Sequence, residues 1–148
     1  MIVKTGHGAL SAQLRLGLAF AIDEGYEGVV LIDGNNKDDP TSIPNFAKLL
    51  DEGFDHVQGS RFIKGGRERN TPFSRKWGII LIHAPLISLA SGFRYTDTTN
   101  GFRGYSRKFL THAEVKPLRS VFNRYELHYY LAIRAARLGF KVIETPVE

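Results

Sequence analysis

The sequence predicts one α/β domain with a mostly parallel sheet flanked by helices, and two observations carry that prediction. Four aliphatic residues in a row, at positions 29–32, have the composition of a buried strand in a parallel sheet. Residues 9–60 alternate helix, strand, helix and strand, which is typical of parallel strands joined by right-handed crossovers. The length of 148 residues is enough for a single domain with its own hydrophobic core.

In the first half of the chain, glycines mark the ends of the predicted elements. Apolar residues recur at helical spacing over residues 10–22, and Gly25 stands where a left-handed residue ends a helix. A second helix is expected after Pro40, with Gly53 at its end, and residues 55–59 predict the next short strand.

In the second half, a loop separates this unit from a helical stretch. Residues 63–72 are rich in glycine, arginine and asparagine, and a helix capped by Ser74 is expected to run until Pro85 kinks or ends it. Residues 95–107 place β-branched and aromatic residues around glycines, which indicates a strand or hairpin that lines a site. The last predicted elements are a helix over residues 124–138 and a short strand over residues 141–145.

Composition excludes several classes of site and favours a charged ligand. Because the chain has no cysteine, disulfides, thiolate metal sites and a cysteine nucleophile are excluded. The net charge is +5, and the segment from Arg61 to Lys76 alone holds six basic residues and one acid. This local excess favours phosphate groups, although a solvated loop explains it equally well. Stacking aromatics beyond Phe62 and Phe73 are missing there, so no nucleic-acid partner is predicted.

The sequence shows no secretory signal after Met1 and no predicted bilayer span. Its longest apolar run, residues 79–90, is shorter than the ~20 residues that a spanning helix needs. Most of this run should belong to the core, and part of it is expected to contact a membrane or another part of the protein.

Acidic side chains follow the strand at residues 29–32, where open α/β sheets bind their ligands. Asp33 comes first, and Asn35, Asp38 and Asp39 follow it. Carboxylate and amide oxygens suit a hard cation such as Mg²⁺ or Mn²⁺ and the phosphates that the cation carries. The alternative, of equal weight on local pattern, is a polar turn in which Asp39 is the N-cap of the next helix.

Further polar residues stand at the ends of later elements. Ser60 and Arg61 leave the second strand at the same edge as the acidic run, and Arg75, Asp97 and Arg103 follow along the chain. Arginines suit a diphosphate because they can bind its oxygens with two hydrogen bonds. The five histidines show no ligand spacing, so each is predicted to be structural or on the surface.

Six motifs follow one another in a specific order. They are Gly6, Gly8 and Ala9; the stretch VVLIDGNNKDDP; GSRF at residues 59–62; Ser74 and Arg75; Asp97 with Gly101, Phe102 and Arg103; and Tyr125 with Glu126. Over nearly the whole chain, this order and spacing resemble glycosyltransferase family 2. The branch that it resembles is the polyprenyl-phosphate glycosyltransferases, of which dolichyl-phosphate mannosyltransferase is the best known.

The resemblance implies a partial GT-A (Rossmann-like) fold and an inverting transfer from a nucleotide sugar to a polyprenyl phosphate. It implies that Asp33, Asn35 and Asp39 hold a divalent Mg²⁺ or Mn²⁺ and the donor diphosphate. Asn35 replaces the second aspartate of the family's D-x-D pattern, and its amide oxygen can ligate a cation but carries no charge. Candidate phosphate and substrate contacts are Lys37, Ser60, Arg61 and Arg75.

The family's N-terminal strands, which bind the nucleotide base, have no counterpart in these residues. Residues 1–148 are therefore predicted to be one domain that corresponds to the C-terminal two-thirds of a family 2 catalytic domain. Such a fragment is expected to be inactive alone and to expose a sheet edge at which two copies could pair. The complete protein is expected in the cytoplasm, peripheral to a membrane.

Catalytic roles are predicted for Asp33, Asp97 and Arg103. Asp97 is the candidate general base if the acceptor is a hydroxyl, and an Asp97–Arg103 ion pair that orders the loop is an equal alternative. A lipid phosphate needs no strong base, because a phosphate monoester loses its second proton near pH ~6. Glu126 is predicted to be structural. The remaining alternative is a non-catalytic nucleotide- or phosphate-binding module of the same fold, at which Asn35 hints.

Overall fold

The computed structural model describes residues 6–34, 38–68 and 72–148. Its helices are α1 (Leu10–Asp23), α2 (Ile43–Asp51), α3 (Phe73–Gly78), α4 (Ala84–Ser91), α5 (Arg107–Leu110) and α6 (Glu126–Arg137). A 3₁₀ turn, Pro40–Ser42, precedes α2, and a π-helical turn, Ile79–His83, joins α3 to α4. The strands are β1 (Gly28–Leu31), β2 (His56–Ser60), β3 (Arg103–Ser106) and β4 (Val142–Pro146).

The predicted α/β class is confirmed, but the sheet is mixed rather than mostly parallel. Its strand order is β1-β3-β2-β4. β1 and β2 run in the same direction, yet β3 lies between them and is antiparallel to both. β4 pairs with β2 in parallel. The expected crossover unit is therefore present, and a strand from much later in the chain is inserted into it.

The helix ends agree with the predicted breaks at two positions and differ at a third. Gly25 follows α1 with a φ of +79°, the left-handed conformation that favours glycine. Pro85 lies in the first turn of α4, where its missing N–H is tolerated, and the π-helical turn before it takes up the irregularity. The predicted cap at Ser74 is wrong, because α3 already begins at Phe73.

The hydrophobic core occupies both faces of the sheet. On one face, α1, α5 and α6 pack around fully buried residues that include Leu18, Phe109 and Leu131. On the other face, Phe46 of α2 stacks on Phe102, with ring centroids 4.2 Å apart. Burying each such side chain contributes about 1.5–3 kcal/mol to folding. The start of β3 therefore packs against core residues on both faces of the sheet, which fixes the end of the loop that precedes it.

Two of the predicted structural histidines are buried, one in strand β2 and one in helix α6. His56 is fully buried and its ring stacks on Tyr105 at 4.9 Å, and His128 is almost as deeply buried. Burial, and then the positive charge of Arg103, lower the pKa of each histidine to about 3. Both imidazoles are therefore neutral at pH 7, as their packing in the core requires.

Acidification is expected to destabilise the protein through these two histidines. In the unfolded chain a histidine has its ordinary pKa of about 6.5, so between pH 6.5 and about 3 the unfolded state binds more protons than the folded state. The free energy of unfolding should therefore decrease as the pH is lowered across this window, by about 1.4 kcal/mol per pH unit for each histidine. Urea titrations at pH 7, 6 and 5 measure this slope.

Matched variants separate this effect from general acid unfolding. His128→Gln should reduce the dependence of the unfolding free energy on pH by about 1.4 kcal/mol per pH unit. This is the contribution of one proton, because one buried imidazole is removed. The control His112→Gln removes an exposed histidine, and so tests whether the loss of burial rather than of any histidine carries the effect. An unchanged slope in His128→Gln would contradict the assignment.

Candidate active site

Three segments of the chain converge at one end of the sheet. Asp33 lies just beyond β1, Arg61 directly follows β2, and residues 96–102 lead into β3. Because β3 is antiparallel to its neighbours, its first residue lies beside their last ones, and Arg103 pairs with Leu31 of β1. Strand ends of this kind are where open α/β sheets bind ligands.

The carboxylate of Asp33 is exposed and lies against the backbone of Gly101. A Cβ atom at position 101 would lie 2.7 Å from Asp33 Oδ1, so any larger residue would force a shift. The glycine therefore permits the close approach of the two segments. Asp33 lies at the same end of the sheet as Arg61 and Asp97, which is the placement that the sequence predicts.

A second carboxylate, that of Asp38, lies near Asp33. Burial, and then the negative charge of Asp33, raise the pKa of Asp38, while a hydrogen bond from Asn100 and the charge of Arg61 act in the opposite direction. The Asn100 Nδ2 donates to Asp38 Oδ1 over 3.4 Å. Two carboxylates this close repel each other unless a proton or a cation offsets their charge.

Asp39, which the sequence assigns to the metal, is used differently. Its Oδ1 accepts from the backbone N–H of Thr41 at 2.9 Å, and its Oδ2 accepts from the Thr41 hydroxyl at 2.6 Å. It is the N-cap of the 3₁₀ turn, as the alternative interpretation proposes, and Asp38 takes its place beside Asp33. The order Asp-Pro-Thr, in which proline occupies the first helical position, is the sequence signal that identifies Asp39 as the cap.

Arg61 and Asp97 form a bidentate ion pair. Arg61 Nε donates to Asp97 Oδ2 at 2.7 Å and Nη2 donates to Oδ1 at 3.1 Å. The Asp97 side chain is 0% exposed and that of Arg61 is 18% exposed. Burial lowers the pKa of Arg61, but the hydrogen bonds and charge of Asp97, together with the charges of Asp38 and Glu68, raise it by more, so the net shift is upward. Asp97 thus fixes the position of a permanent positive charge.

This geometry corrects the predicted roles of Asp97. Its carboxylate also accepts from the backbone N–H and the hydroxyl of Thr99, both at 3.2 Å. A buried carboxylate with these donors is poorly placed to take a proton from an acceptor, so Asp97 is a positioning residue in this conformation. The predicted alternative of an ion pair with Arg103 is also wrong, because Asp97 pairs with Arg61 instead.

Arg103, for which a catalytic role is predicted, is buried beside the site loop. It is 1% exposed and donates hydrogen bonds to three carbonyl oxygens. These belong to Thr98 at 2.7 Å, His128 at 2.8 Å and Asn100 at 3.0 Å. Its guanidinium therefore ties the site loop to α6. The motif around Arg103 does not reveal this burial, because the contact with α6 is to a residue 25 positions away in the chain.

Sequence reasoning missed Glu144, which anchors the start of the loop. It accepts hydrogen bonds from the N–H and hydroxyl of Thr96, both at 2.8 Å, and from the N–H of Asp97 at 3.2 Å. Burial raises the pKa of Glu144 and the nearby Asp97 charge raises it further, against the hydrogen bonds from Thr96. Ser60, predicted to contact phosphate, is fully buried and its hydroxyl shares a 2.6 Å hydrogen bond with Thr96. No local motif marks Glu144, since its partners are 47 or more positions away.

Three other predicted ligands lie outside the described part of the structure. These are Asn35, Lys37 and the side chain of Arg75. Their assignments to metal or phosphate stay predictions.

The donor set fits part of a hard-cation site. Asp33 and Asp38 supply oxygen ligands and a mutual repulsion that a divalent cation would relieve. Across residues 6–34, 38–68 and 72–148, no three histidine, cysteine, aspartate or glutamate residues are grouped as a complete ligand set. Any further protein ligand in this part of the chain would have to be an amide, a hydroxyl or a backbone carbonyl.

Comparisons with known proteins place these residues in context. No protein-family model matches the chain. An undecaprenyl-phosphate mannosyltransferase of Micrococcus luteus is 31% identical over 134 residues, which are 88% of this chain and 52% of that protein. A polyprenol monophosphomannose synthase of Mycolicibacterium smegmatis is 28% identical over 148 residues, or 97% of this chain and 53% of that protein. A dolichyl-phosphate hexose transferase of Haloferax volcanii is 32% identical over 105 residues, or 71% of this chain and 42% of that protein.

The chain spans about half the length of the first two of these relatives. Names of the same kind recur among relatives from bacteria and archaea, at 28–32% identity over most of this chain. The resemblance of the chain to the polyprenyl-phosphate glycosyltransferases of family 2 is therefore confirmed.

Proposed function

We propose that the complete protein is an inverting glycosyltransferase that moves a sugar from a nucleotide sugar to a polyprenyl phosphate. The observation that carries the proposal is the placement of Asp33, Asp38 and Arg61 together at the ligand-binding end of the sheet. The proposal draws its chemistry from the relatives, whose names specify transfer of mannose or another hexose to a lipid phosphate.

In the proposed reaction, negative charge builds up on the leaving diphosphate. A Mg²⁺ or Mn²⁺ ion held by Asp33 and Asp38, with Asn35 as a further candidate, would act as a Lewis acid on that charge. Arg61 adds a fixed positive charge that Asp97 has already oriented, so little reorganisation is needed during the reaction. Within the described residues, the Nη1 of Arg61 makes no hydrogen bond, which leaves this nitrogen for a phosphate oxygen.

The structure favours a phosphate over a hydroxyl as the acceptor. A hydroxyl acceptor requires a general base, and Asp97, the base predicted for it, is buried and bound to Arg61 and Thr99. A phosphate monoester is already largely ionised above pH ~6 and can attack without a base. This argument makes transfer to a glycan hydroxyl the weaker alternative.

An exposed apolar surface on α3, the π-helical turn and α4 suits a lipid acceptor. Within the described residues, no helix is long and apolar enough to cross a bilayer. The surface is formed by large side chains that are 42–79% exposed, namely Trp77, Leu81, Ile82, Leu86 and Leu89. Exposed apolar area of this kind marks an interaction surface. We propose that it rests on the cytoplasmic face of a membrane, which would keep the protein peripheral.

A cavity of about 410 Å³ lies between this helical region and the site loop. Phe62, Ile80, Ala84 and Pro85 give it apolar walls, and Thr96 joins it to the loop that carries Asp97. We propose that the first isoprene units of the acceptor bind here, next to the charged end of the site.

The test is a transfer assay of the complete protein with a panel of nucleotide sugars and polyprenyl phosphate. Sugar should be transferred from one donor to the lipid phosphate, and a chelator should abolish transfer until Mg²⁺ or Mn²⁺ is restored. Binding of a nucleoside diphosphate without transfer from any donor would favour the non-catalytic module. Transfer to a glycan and not to the lipid phosphate would overturn the acceptor assignment.

The same assay tests the membrane surface. Leu81→Glu with Leu89→Glu should lower transfer to acceptor embedded in vesicles at least fivefold, because charge at the surface opposes contact with the apolar bilayer. Transfer to a short-chain acceptor that dissolves in water should stay within twofold of wild type. Equal losses with both acceptors would show that the two substitutions damage the catalytic site or the fold instead. A homo-oligomer through the edge of β1 that no strand of the described residues covers stays a separate prediction, which light scattering can test.

A further inference from the structure

A second cluster of charges adjoins Arg61 on the side of α3. The ring of Phe62 lies between two cations, with the guanidinium carbon of Arg61 5.5 Å and the Nζ of Lys76 5.9 Å from its centroid. Lys76 is not among the candidate ligands from the sequence. Its Nζ forms an ion pair with Glu68, and both side chains are about one-third exposed, at 35% and 29%.

The Glu68 carboxylate is held at one oxygen only. Its Oε1 accepts from Lys76, whereas its Oε2 is buried and has no hydrogen-bond partner in the described part of the chain. A buried carboxylate oxygen without a donor is unfavourable. A contact that served only to fasten the loop to α3 would be expected to satisfy both oxygens. The charge of Glu68 also reaches Arg61, since it contributes to the raised pKa of that residue.

The loop that carries Glu68 is itself fixed at the end of the sheet. The N–H of Arg67 donates to the carbonyl of Val147 at 2.9 Å, and the N–H of Gly66 donates to the carbonyl of Ile63 at 2.9 Å. The backbone next to Glu68 is therefore anchored, and the carboxylate can leave Lys76 by side-chain rotation alone.

We propose that Lys76 is a binding residue for the acceptor phosphate, and that Glu68 competes with this phosphate for Lys76. The inference rests on the proposed function, because it assigns the anion to the lipid-phosphate acceptor. The phosphate lies beside Phe62, between Lys76 and Arg61, and the lipid chain enters the cavity that Phe62 lines. A phosphate monoester carries about −1.5 to −2 charges at pH 7 and three acceptor oxygens, so it displaces a carboxylate that has one charge and one bond.

The competition with Glu68 makes the site selective for the charge of its ligand. A ligand with a single negative charge exchanges with Glu68 at no electrostatic gain, whereas a dianionic phosphate gains an additional charge interaction with Lys76 and Arg61. The site therefore favours a terminal phosphate over a carboxylate or a diester.

The test measures binding of undecaprenyl phosphate in detergent micelles, with undecaprenol as the uncharged control. The readout is the fluorescence of Trp77, which is the single tryptophan of the chain and adjoins Lys76. Glu68→Gln should bind the lipid phosphate about threefold to tenfold more tightly, because the competing charge is removed. Lys76→Met should bind it about fivefold or more weakly, and the double variant should match Lys76→Met. None of these variants should change the response to undecaprenol.

A matched ion pair provides the control. Lys48 and Glu52 on α2 are paired at 3.7 Å, and their side chains are 74% and 48% exposed. Lys48→Met and Glu52→Gln should leave phosphate binding unchanged, although they alter the net charge by the same amounts.

Unchanged or weaker binding by Glu68→Gln, with its melting temperature preserved, would overturn the inference and leave the pair as a structural contact. If Glu68→Gln unfolds, phosphate binding by Glu68→Ala is measured instead, at a temperature at which that variant is folded, and unchanged or weaker binding again overturns the inference. Loss of folding in both variants would also identify a purely structural pair. The binding measurement is independent of transfer. Tighter phosphate binding by Glu68→Gln without any sugar transfer would retain the inference on phosphate binding and reject the proposed catalysis. Normal sugar transfer with unchanged phosphate affinities would retain the proposed catalysis and reject the inference.

Discussion

Asp33→Ala in the complete protein is expected to lower the transfer rate by at least about 10²–10³-fold at saturating donor, the range found when one group that stabilises transition-state charge is removed. The Asp33 carboxylate is exposed and lies near Asp38, so its removal takes away a repulsive contact rather than a packing interaction. The fold should therefore remain intact, with a melting temperature equal to or slightly above that of the wild type. Radiolabelled donor assays across a Mn²⁺ titration measure the loss.

Asp23→Ala is the matched control for this prediction, because Asp23 is also exposed and lies at the end of α1, away from the site. It removes the same charge and should keep wild-type transfer. Gly101→Ala should mimic part of the Asp33 effect, since its Cβ would lie 2.7 Å from Asp33 Oδ1 and displace the carboxylate. Wild-type transfer by Asp33→Ala at saturating donor would discard the metal-site assignment.

The convergence of Asp33 and Arg61 could be predicted because it follows from a rule about sheets, whereas Asp97 lies there because it precedes β3, which is antiparallel to β1 and β2. Residues just beyond the carboxyl ends of strands that run in the same direction must meet at one edge, whatever the order of the strands. For this reason Asp33 and Arg61 lie at one edge, as predicted, although an antiparallel strand separates β1 from β2. The position of β3 between β1 and β2 is set by pairings of residues 45–78 positions apart, which hydrophobic periodicity does not report.

The pairing of individual side chains within the site could not be predicted in the same way. The sequence motifs contain two arginines that could pair with Asp97, namely Arg61 and Arg103. In the structure Asp97 pairs with Arg61, and Arg103 is buried in the core. That choice depends on the carbonyl oxygens of the loop and of α6, which give each of the three side-chain nitrogens of Arg103 a hydrogen bond without a carboxylate. Capping chemistry was more informative, since Asp39 followed by Pro40 already contained the reason why Asp38 is the residue near Asp33.

Glu144 and Asp97 are neighbouring carboxylates, and Asp97 contributes to the raised pKa of Glu144. Two acids in contact are tolerated here because Arg61 pairs with Asp97, while Glu144 accepts three hydrogen bonds from Thr96 and Asp97. Arg61 therefore serves both the stability of the loop and the charge of the site, and its replacement should affect both.

Asp97→Asn is expected to destabilise the protein by about 3 kcal/mol, the lower end of the ~3–5 kcal/mol found when one partner of a buried ion pair is removed. The lower end applies for two reasons. Arg61 is 18% exposed and can recover some hydration, and loss of the Asp97 charge relieves Glu144. For a domain of this size the melting temperature should fall by ~6–12 °C. Urea unfolding monitored by circular dichroism gives the free energy.

The control for Asp97→Asn is Glu114→Gln, which breaks a 3.9 Å pair between Glu114 and Arg134 whose side chains are 64% and 33% exposed. It should destabilise the protein by less than ~1 kcal/mol, because solvent screens the exposed pair. The double variant Asp97→Asn with Arg61→Met should be less destabilised than the sum of the single variants, since it leaves no unpaired charge in the site. Additive losses would show that Arg61 and Asp97 stabilise the loop through separate contacts, and the role of Asp97 in orienting Arg61 would have to be abandoned.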